Sequence, residues 1–146
     1  MSRLKLNLCT AFILFFYGFG QAQIKSENQL QIETVLKNQV LAWNEGDIEK
    51  YMQGYWKSDS LVFIGKKGLT KGWKPTLENY IISYPDKKAM GQLSFELLKE
   101  EALGIDHFLV IGKWTLNREK DILTGHFSLI WRKIEGQWFI VADHSS

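Results

Sequence analysis

The segment LTGHFSLIWRKIEGQWFIVADHSS (residues 123–146) predicts two β-strands joined by a turn, because aromatic and β-branched residues flank Ile134-Glu135-Gly136. We expect a three-residue turn with a glycine bulge, a geometry that pairs Lys133 with Gln137. Side chains alternate between the two faces of a strand. One face of this hairpin then carries five large apolar side chains and one carboxyl group: Phe127, Leu129, Trp131, Phe139, Val141 and Asp143.

Two more strands precede the hairpin. Apolar and polar residues alternate over residues 93–97, and a second apolar run covers residues 108–116. Turn-forming residues separate these runs, with Leu103-Gly104 before the second run and residues 117–121 after it. The second half of the chain therefore predicts an antiparallel meander.

The first half of the chain begins with a predicted helix. Apolar residues recur every three or four positions between Ile32 and Trp43, the period of a helix with one buried face. Ser26 precedes this stripe as a capping residue, and Gly46 follows it as a helix end.

Three shorter elements follow in this half. A second helix begins at Asp47, residues 61–64 form a short strand, and a third helix begins near Pro75. Pro85 stops the third helix. Helices followed by a meander of strands indicate the α+β class, with the helices on one face of the sheet.

The first 22 residues have the organisation of a secretory signal peptide. Arg3 and Lys5 are basic, residues 8–19 form an apolar run, and Ala22 places a small residue before a cleavage point. This run is shorter than the roughly 20 residues of a membrane-spanning helix. We therefore expect a signal peptide at residues 1–22, a mature domain at residues 23–146 without a membrane span, and a secreted or periplasmic location.

Charge and composition exclude several classes of protein. The chain has 18 basic and 16 acidic residues, and removal of Arg3 and Lys5 with the leader leaves equal numbers. Because a nucleic-acid-binding surface is usually basic, we expect no nucleic acid partner. The single cysteine, Cys9, lies in the leader, so the mature chain has no thiol for a disulfide, a nucleophile or a metal site. No phosphate-binding loop is present, and we expect no cofactor.

Several segments resemble one superfamily. Five features are similar to the first half of nuclear transport factor 2-like proteins: AWNEGD (residues 42–47), Tyr51, Asp59, Phe63 and Gly72. The ending WRKIEGQWFIVADHSS (residues 131–146) resembles the C-terminal hairpin of the SnoaL-like members and the association domain of calcium/calmodulin-dependent kinases.

The resemblance covers residues 26–146 and implies a cone-shaped half-barrel. Three N-terminal helices would pack on a strongly curved, mostly antiparallel sheet, with a pocket between the helices and the concave face. It also implies a homodimer formed through the sheet. Because the superfamily includes isomerases, dehydratases, hydrolases, binding modules and assembly hubs, the fold does not name the chemistry.

Two branches of the superfamily can be compared residue by residue. In the steroid isomerases the general base aligns with Ile64, and the two oxyanion donors align with Gln39 and Leu129. Isoleucine and leucine can neither accept nor donate a proton, which argues against that activity. In the kinase association domains the pocket arginines align with Leu129 and Ser145, which argues against carboxylate binding of that type.

Two polar residues are the candidates for the chemistry of the pocket. Asp143 is the carboxyl group on the apolar face of the hairpin, where burial would raise its pKa into the range of a general acid or base. The alternative is a partly solvated or ion-paired carboxylate. Gln39 interrupts the apolar stripe of the first helix, either as a hydrogen-bonding group of the pocket or as an edge residue that reaches water.

Large apolar and aromatic residues are expected to line the rest of the pocket. Five of them are candidates: Tyr51, Trp56, Trp114, Phe127 and Leu129. They predict a small apolar or aromatic ligand whose identity the sequence does not specify. The lysines of residues 66–74 favour a solvated loop over an anion site.

The two histidines of the hairpin lie opposite each other on its second face in the assumed register. His126 and His144 could share a metal, but no third ligand has suitable spacing, so we expect a polar pair at a dimer interface and no metal site. A one-residue slip would instead turn His126 toward the pocket as a base. The same second face carries Trp138 and Ile140 and is expected to form the dimer interface.

Two classes of function are open. The first is a small-molecule-binding or interaction domain with an apolar pocket and no catalysis. The alternative is an enzyme of isomerase, dehydratase or hydrolase type that moves a proton on a hydrophobic substrate, with Asp143 as base and Gln39 or a tyrosine as donor. An open pocket with Asp143 near Gln39 favours the enzyme, and a closed pocket without Asp143 favours the binding domain.

Overall fold

The computed structural model describes residues 25–146, so the predicted signal peptide lies outside the described residues. Helix α1 (Glu27–Glu45) begins after Ser26, whose hydroxyl accepts a hydrogen bond from the backbone N–H of Gln29. The Gln29 side chain accepts from the Ser26 N–H in return. Gly46 ends the helix in the left-handed conformation (φ 89°). Both predicted ends of this helix are confirmed.

Short elements connect α1 to the main sheet. They are helix α2 (Ile48–Tyr51) with the 3₁₀ turn Met52–Gly54, strands β1 (Val62–Gly65) and β2 (Gly68–Lys71), and helices α3 (Trp73–Ser83) and α4 (Lys87–Met90). Strand β2 and helix α4, which the sequence pattern did not predict, have four residues each, too few to show a periodicity. Among residues 25–146 no helix has the length and apolar character needed to cross a bilayer.

Six strands form one curved, unclosed sheet with the helices packed against it. The four long strands are β3 (Gln92–Ala102), β4 (His107–Asn117), β5 (Ile122–Ile134) and β6 (Gln137–Ser145). The spatial order is β2-β1-β6-β5-β4-β3, in which β1 and β6 are parallel and all other neighbours are antiparallel. The predicted α+β cone is confirmed.

The hydrophobic core lies between α1 and the concave face of the sheet. Its most deeply buried apolar side chains come from α1, the segment after it and the sheet: Ile32, Met52, Leu61, Val110, Trp131 and Ile140. Burial of each such side chain stabilises the fold by about 1.5–3 kcal/mol. The core therefore holds α1 across the sheet and leaves the space beside it as a cavity.

The β5–β6 hairpin differs from its predicted register. Ile134 pairs with Gln137, so the turn consists of two residues, Glu135 (φ 50°) and Gly136 (φ 82°). A two-residue turn with both φ angles positive matches the twist of the flanking strands. The predicted pairing of Lys133 with Gln137, and the three-residue turn on which it rests, are wrong.

This shift by one residue exchanges the two faces at the start of β6. Trp138 and Ile140 are buried in the core, at 4% and 1% exposure. Phe139 and Val141 are only partly buried. The predictions that Phe139 and Val141 share the inner face, and that Trp138 and Ile140 form a dimer interface, are therefore wrong.

A β-bulge restores the predicted orientation further along β6. Ile140 pairs with Trp131, whereas Ala142 pairs with the adjacent residue of β5, which leaves Val141 without a partner on that strand. The extra residue moves all later side chains of β6 to the opposite face. Asp143 consequently faces inward, as predicted.

The histidines of the hairpin do not face each other. His144 pairs with Ser128, and His126 pairs with Lys113 of β4. Both imidazoles are exposed. Within residues 25–146, no three histidine, cysteine, aspartate or glutamate side chains converge as a metal site would require.

Candidate functional site

A cavity of about 530 Å³ lies between the helices and the concave face of the sheet. Its walls come from the helices α1, α2 and α3 and from all six strands of the sheet. Aromatic side chains make up much of this wall: Trp43, Tyr51, Tyr80, Phe95, Trp114 and Phe127. The space inside is therefore largely apolar.

Most of the predicted site residues meet at this cavity. Those that line it are Gln39, Tyr51, Trp114, Phe127, Leu129 and Asp143. Trp56 lies outside it, with the Arg132 guanidinium 4.4 Å from its ring centroid. Tyr55 points inward on an extended backbone, so the next side chain, Trp56, points to the other side. The prediction that Trp56 lines the pocket is wrong.

Asp143 provides the carboxyl group of the cavity and is 4% exposed. Its Oδ2 accepts a hydrogen bond from the Tyr55 hydroxyl, and its Oδ1 accepts one from the Ser145 hydroxyl, both at 2.7 Å. Leu129 lies opposite it on β5. Each carboxyl oxygen of Asp143 therefore has one hydroxyl donor.

Burial raises the pKa of Asp143 to about 6, from the usual value of 3.8. The hydrogen bonds from Ser145 and Tyr55 oppose this change, and so does the nearby His144, because all three favour the charged carboxylate. The direction predicted from the sequence is confirmed. A carboxyl with this pKa can accept or donate a proton close to neutral pH.

Tyrosine side chains surround the inner end of the cavity. The hydroxyl oxygens of Tyr51 and Tyr55 are 3.5 Å apart, and the ring of Tyr80 lies edge-on to Tyr51, with centroids 5.4 Å apart. Burial raises the pKa of Tyr51 to about 12 and holds the pKa values of Tyr55 and Tyr80 well above 10. The negative charge of Asp143 raises all three further. These hydroxyls are therefore neutral donors at physiological pH.

Gln39 lies in the wall and is 2% exposed, so the alternative that it reaches water is wrong. Its Nε2 donates to the backbone oxygen of Tyr51 at 3.1 Å. The amide also packs on Gly54, where a Cβ atom would lie 2.6 Å from the amide carbon. Gln39 thus ties α1 to α2 through one of its two amide N–H groups, and the hydrogen bonds to Asp143 come from Tyr55 and Ser145 instead.

Two partners of Asp143 were not identified from the sequence. Ser145 lies two residues further along β6, on the same face, so the strand alternation contained a signal for it. Tyr55 is 88 residues away in the chain. It reaches Asp143 because its backbone forms a parallel bridge with Ile140, a contact for which the sequence has no local signal.

The mouth of the cavity is polar. Lys66 and Lys67 form the turn between β1 and β2, Asn79 and Ser83 come from α3, and Thr124 comes from β5. All five side chains are exposed. Lys66 and Lys67 are exposed to solvent, in agreement with the solvated loop that the sequence predicts. They also border the entrance of the cavity.

Comparison with solved structures identifies similar proteins. An NTF-2-like protein of unknown function from Shewanella oneidensis MR-1 is 41% identical, with a TM-score of 0.78 over 82% of this chain and 98% of that chain. A ketosteroid isomerase-like protein from Erwinia carotovora atroseptica SCRI1043 is 17% identical, with a TM-score of 0.65 over 84% and 97%. A domain of unknown function with a cystatin-like fold from Nostoc punctiforme PCC 73102 is 16% identical, with a TM-score of 0.70 over 84% and 78%.

No protein-family model matches the sequence, and no curated protein matches it. The two structures with lower identity share the fold alone. The Shewanella protein is similar in sequence over nearly its whole length, but its function is unknown. The chemistry of this chain must therefore be inferred from its own cavity.

Proposed function

Because the chain belongs to the nuclear transport factor 2-like family, we propose that it binds a small, largely apolar molecule in its internal cavity. One observation carries this proposal: a largely aromatic wall surrounds about 530 Å³, and among residues 25–146 Asp143 is its one acidic side chain. Cavities of this size with apolar walls and a few oriented polar groups are the usual form of small-molecule sites.

The inner end of the cavity selects one polar group of the ligand. Asp143 can accept a hydrogen bond when charged and donate one when protonated. The Tyr51 hydroxyl is 3.5 Å from that of Tyr55, which is long for a hydrogen bond, so it is available to a ligand. We expect the ligand to place a hydroxyl or carbonyl group at this end.

A second candidate function is general acid/base catalysis on a hydrophobic substrate. The protonation of Asp143 supports it, because a pKa of about 6 lies near the pH at which an enzyme would work. Tyr51 or Tyr55 would act as the neutral donor in an isomerase, dehydratase or hydrolase type of reaction. Gln39 is hydrogen-bonded to the backbone of Tyr51, whereas Tyr55 is hydrogen-bonded to Asp143, so a tyrosine is the better placed donor.

The binding proposal can be tested with N-phenyl-1-naphthylamine, an uncharged probe that fluoresces in apolar surroundings. We expect the wild type to bind it. The variant Ser83→Trp, which places a large ring at the exposed mouth, should bind it several-fold more weakly, whereas Glu78→Trp on the same helix should not. Equal binding by all three proteins would show that the probe does not enter the cavity.

Catalysis is separated from binding by Asp143→Asn, which keeps the shape of the side chain but cannot exchange a proton. Compounds retained through native purification are identified by mass spectrometry and incubated with both proteins. An enzyme converts the compound only with Asp143 present, whereas a binding domain returns it unchanged in both cases. Conversion by both proteins would exclude Asp143 as the acid or base.

A homodimer through the outer face of the sheet is a further part of the proposal. Partly buried apolar side chains from three adjacent strands share this face: Leu109, Ile111, Ile130 and Phe139. A contiguous apolar surface of this kind is usually covered by a partner. This face replaces the predicted one, because Trp138 and Ile140 belong to the core.

Export completes the proposal and is supported by the basic start, the apolar run and the small residue at Ala22. N-terminal sequencing of protein recovered from the cell envelope or the medium should find Gln23 as the first residue. Soluble cytoplasmic protein that retains Arg3 and Lys5 would contradict this.

A further inference from the structure

Two lysines at the mouth of the cavity indicate the charge of the ligand. Lys66 and Lys67 form the β1–β2 turn and border the entrance of the cavity. In an extension that rests on the proposed function, we infer that the ligand is a small anionic amphiphile. Its apolar body lies in the cavity, and its carboxylate or sulfonate group lies at the mouth against these two lysines.

The backbone fixes the position of the lysines relative to the cavity. Gly65 pairs with Gly68 on either side of the turn. On the same strand, Phe63 lines the cavity and packs so closely on Gly65 that a Cβ there would lie 2.8 Å from its ring. Phe63 also pairs with Asp143 in the parallel β1–β6 ladder. The turn and the inner carboxyl are therefore held by one pair of strands.

Lys66 and Lys67 take part in no ion pair within residues 25–146. The charged side chains that line the cavity are Lys66, Lys67 and Asp143, of which Asp143 is buried and both lysines are exposed. The ion pairs between residues 25 and 146 use other lysines: Lys25, Lys50, Lys88 and Lys99. An anionic group at the mouth would therefore meet two lysines that have no acidic partner in that region.

The length of β1 sets the length of the ligand. Phe63 lies beside Asp143 in the sheet. Lys66 and Lys67 come three and four residues after Phe63 in the sequence. At about 3.3 Å per residue, this places their backbone about 10–13 Å from the level of Asp143. A fused-ring or medium-chain molecule spans such a distance. The reverse orientation would bury an anion beside a second carboxyl, which is costly.

A pair of fluorescent probes tests the inference. One is 1-anilinonaphthalene-8-sulfonate, and the other is its uncharged parent, N-phenyl-1-naphthylamine. Both are titrated into the wild type, into the double variant Lys66→Gln/Lys67→Gln, and into the control Lys71→Gln/Lys74→Gln. The control removes the same charge from exposed lysines nearby that do not line the cavity.

We expect the first double variant to bind the sulfonate about three- to tenfold more weakly and the neutral probe equally well. The control variant should bind both probes like the wild type, and high salt should weaken only sulfonate binding. Equal loss of sulfonate binding in both double variants, or no loss in either, would overturn the inference and leave a solvated loop. Failure of both probes to respond to Ser83→Trp would instead overturn the proposed function.

Discussion

Asp143 is buried, yet its carboxyl group can still gain and lose a proton near neutral pH. Its two oxygens accept from Tyr55 and Ser145, yet its surroundings are otherwise apolar, so burial outweighs the hydrogen bonds and the pKa rises to about 6. The group is therefore protonated in part of the molecules near neutral pH. If position 143 had only a structural role, an uncharged asparagine or leucine would stabilise the fold better than an aspartate.

The raised pKa predicts how stability depends on pH. The folded protein binds the Asp143 proton more tightly than the unfolded chain, where the usual value is 3.8. The contribution to stability is thus fully present below about pH 4 and declines, on the order of 3 kcal/mol in total, as pH rises through 6. Chemical denaturation between pH 4 and 8 should show this decline in the wild type relative to Asp143→Asn.

At pH 7 we expect Asp143→Asn to be as stable as the wild type or more stable. The variant avoids the cost of a buried charge and can still accept a hydrogen bond. A loss of more than about 1 kcal/mol would mean that the carboxylate is held mainly by its hydrogen bonds. Asp143 would then be a structural residue, and the catalytic alternative would be dropped.

The two hydroxyl donors to Asp143 can be removed one at a time. Because both bonds stabilise the carboxylate, Ser145→Ala and Tyr55→Phe should each raise the pKa of Asp143 further, with Ser145→Ala having the larger effect. The carboxyl carbon of Asp143, followed by NMR during a pH titration, reports this change directly. An unchanged or lowered pKa in both variants would contradict the hydrogen bonds described above.

At the scale of the elements, the ends of helices and the start of a strand could be predicted from local sequence signals, whereas the register of the hairpin could not. The capping serine and the left-handed Gly46 determine the ends of α1, and β6 begins directly after the predicted turn. The register depends on whether the turn contains two or three residues, and Ile134-Glu135-Gly136 is compatible with both. The predicted face of Asp143 is correct only because two shifts cancel. The shorter turn moves β6 by one residue, and the bulge at Val141 moves it back by one.

The turn itself offers a test of this register. Glu135 adopts a positive φ of 50°, a conformation that asparagine tolerates better than glutamate. Glu135→Asn should therefore raise the free energy of unfolding by about 0.5–1 kcal/mol. Gly136→Ala, at φ 82°, should lower it. If alanine is tolerated there without loss, the turn does not have this geometry.

At the scale of the whole molecule, the cavity depends on contacts that span the chain. Tyr55, Phe63 and Asp143 meet because β1 is inserted next to β6, an arrangement that no local pattern encodes. The family resemblance predicts the general shape of the cone, but it does not determine which side chains share its interior. This is why Trp56 was misplaced while Trp114, on a long regular strand, was not.

The outer face of the sheet predicts the oligomeric state. Ile130 lies at the centre of this face, between Leu109 and Ala142 on the neighbouring strands. Ile130→Arg should convert the proposed dimer to a folded monomer, because an unpaired charge is costly in an apolar interface. Glu78→Arg, on the exposed surface of α3, should leave the dimer intact. Sedimentation that shows the wild type as a monomer at high micromolar concentration would contradict the dimer.

The unpaired residue Val141 has a consequence for how relatives of this chain should be compared. Strand parity means that loss of this one residue, with every other residue kept, would turn the carboxyl of Asp143 out of the cavity and toward the outer surface. A relative that lacks a residue at the position of Val141 would thus carry the aspartate on the outer face, although it shares that aspartate with this chain. We therefore expect an insertion or deletion at this position to decide whether the aspartate of a relative lines its cavity.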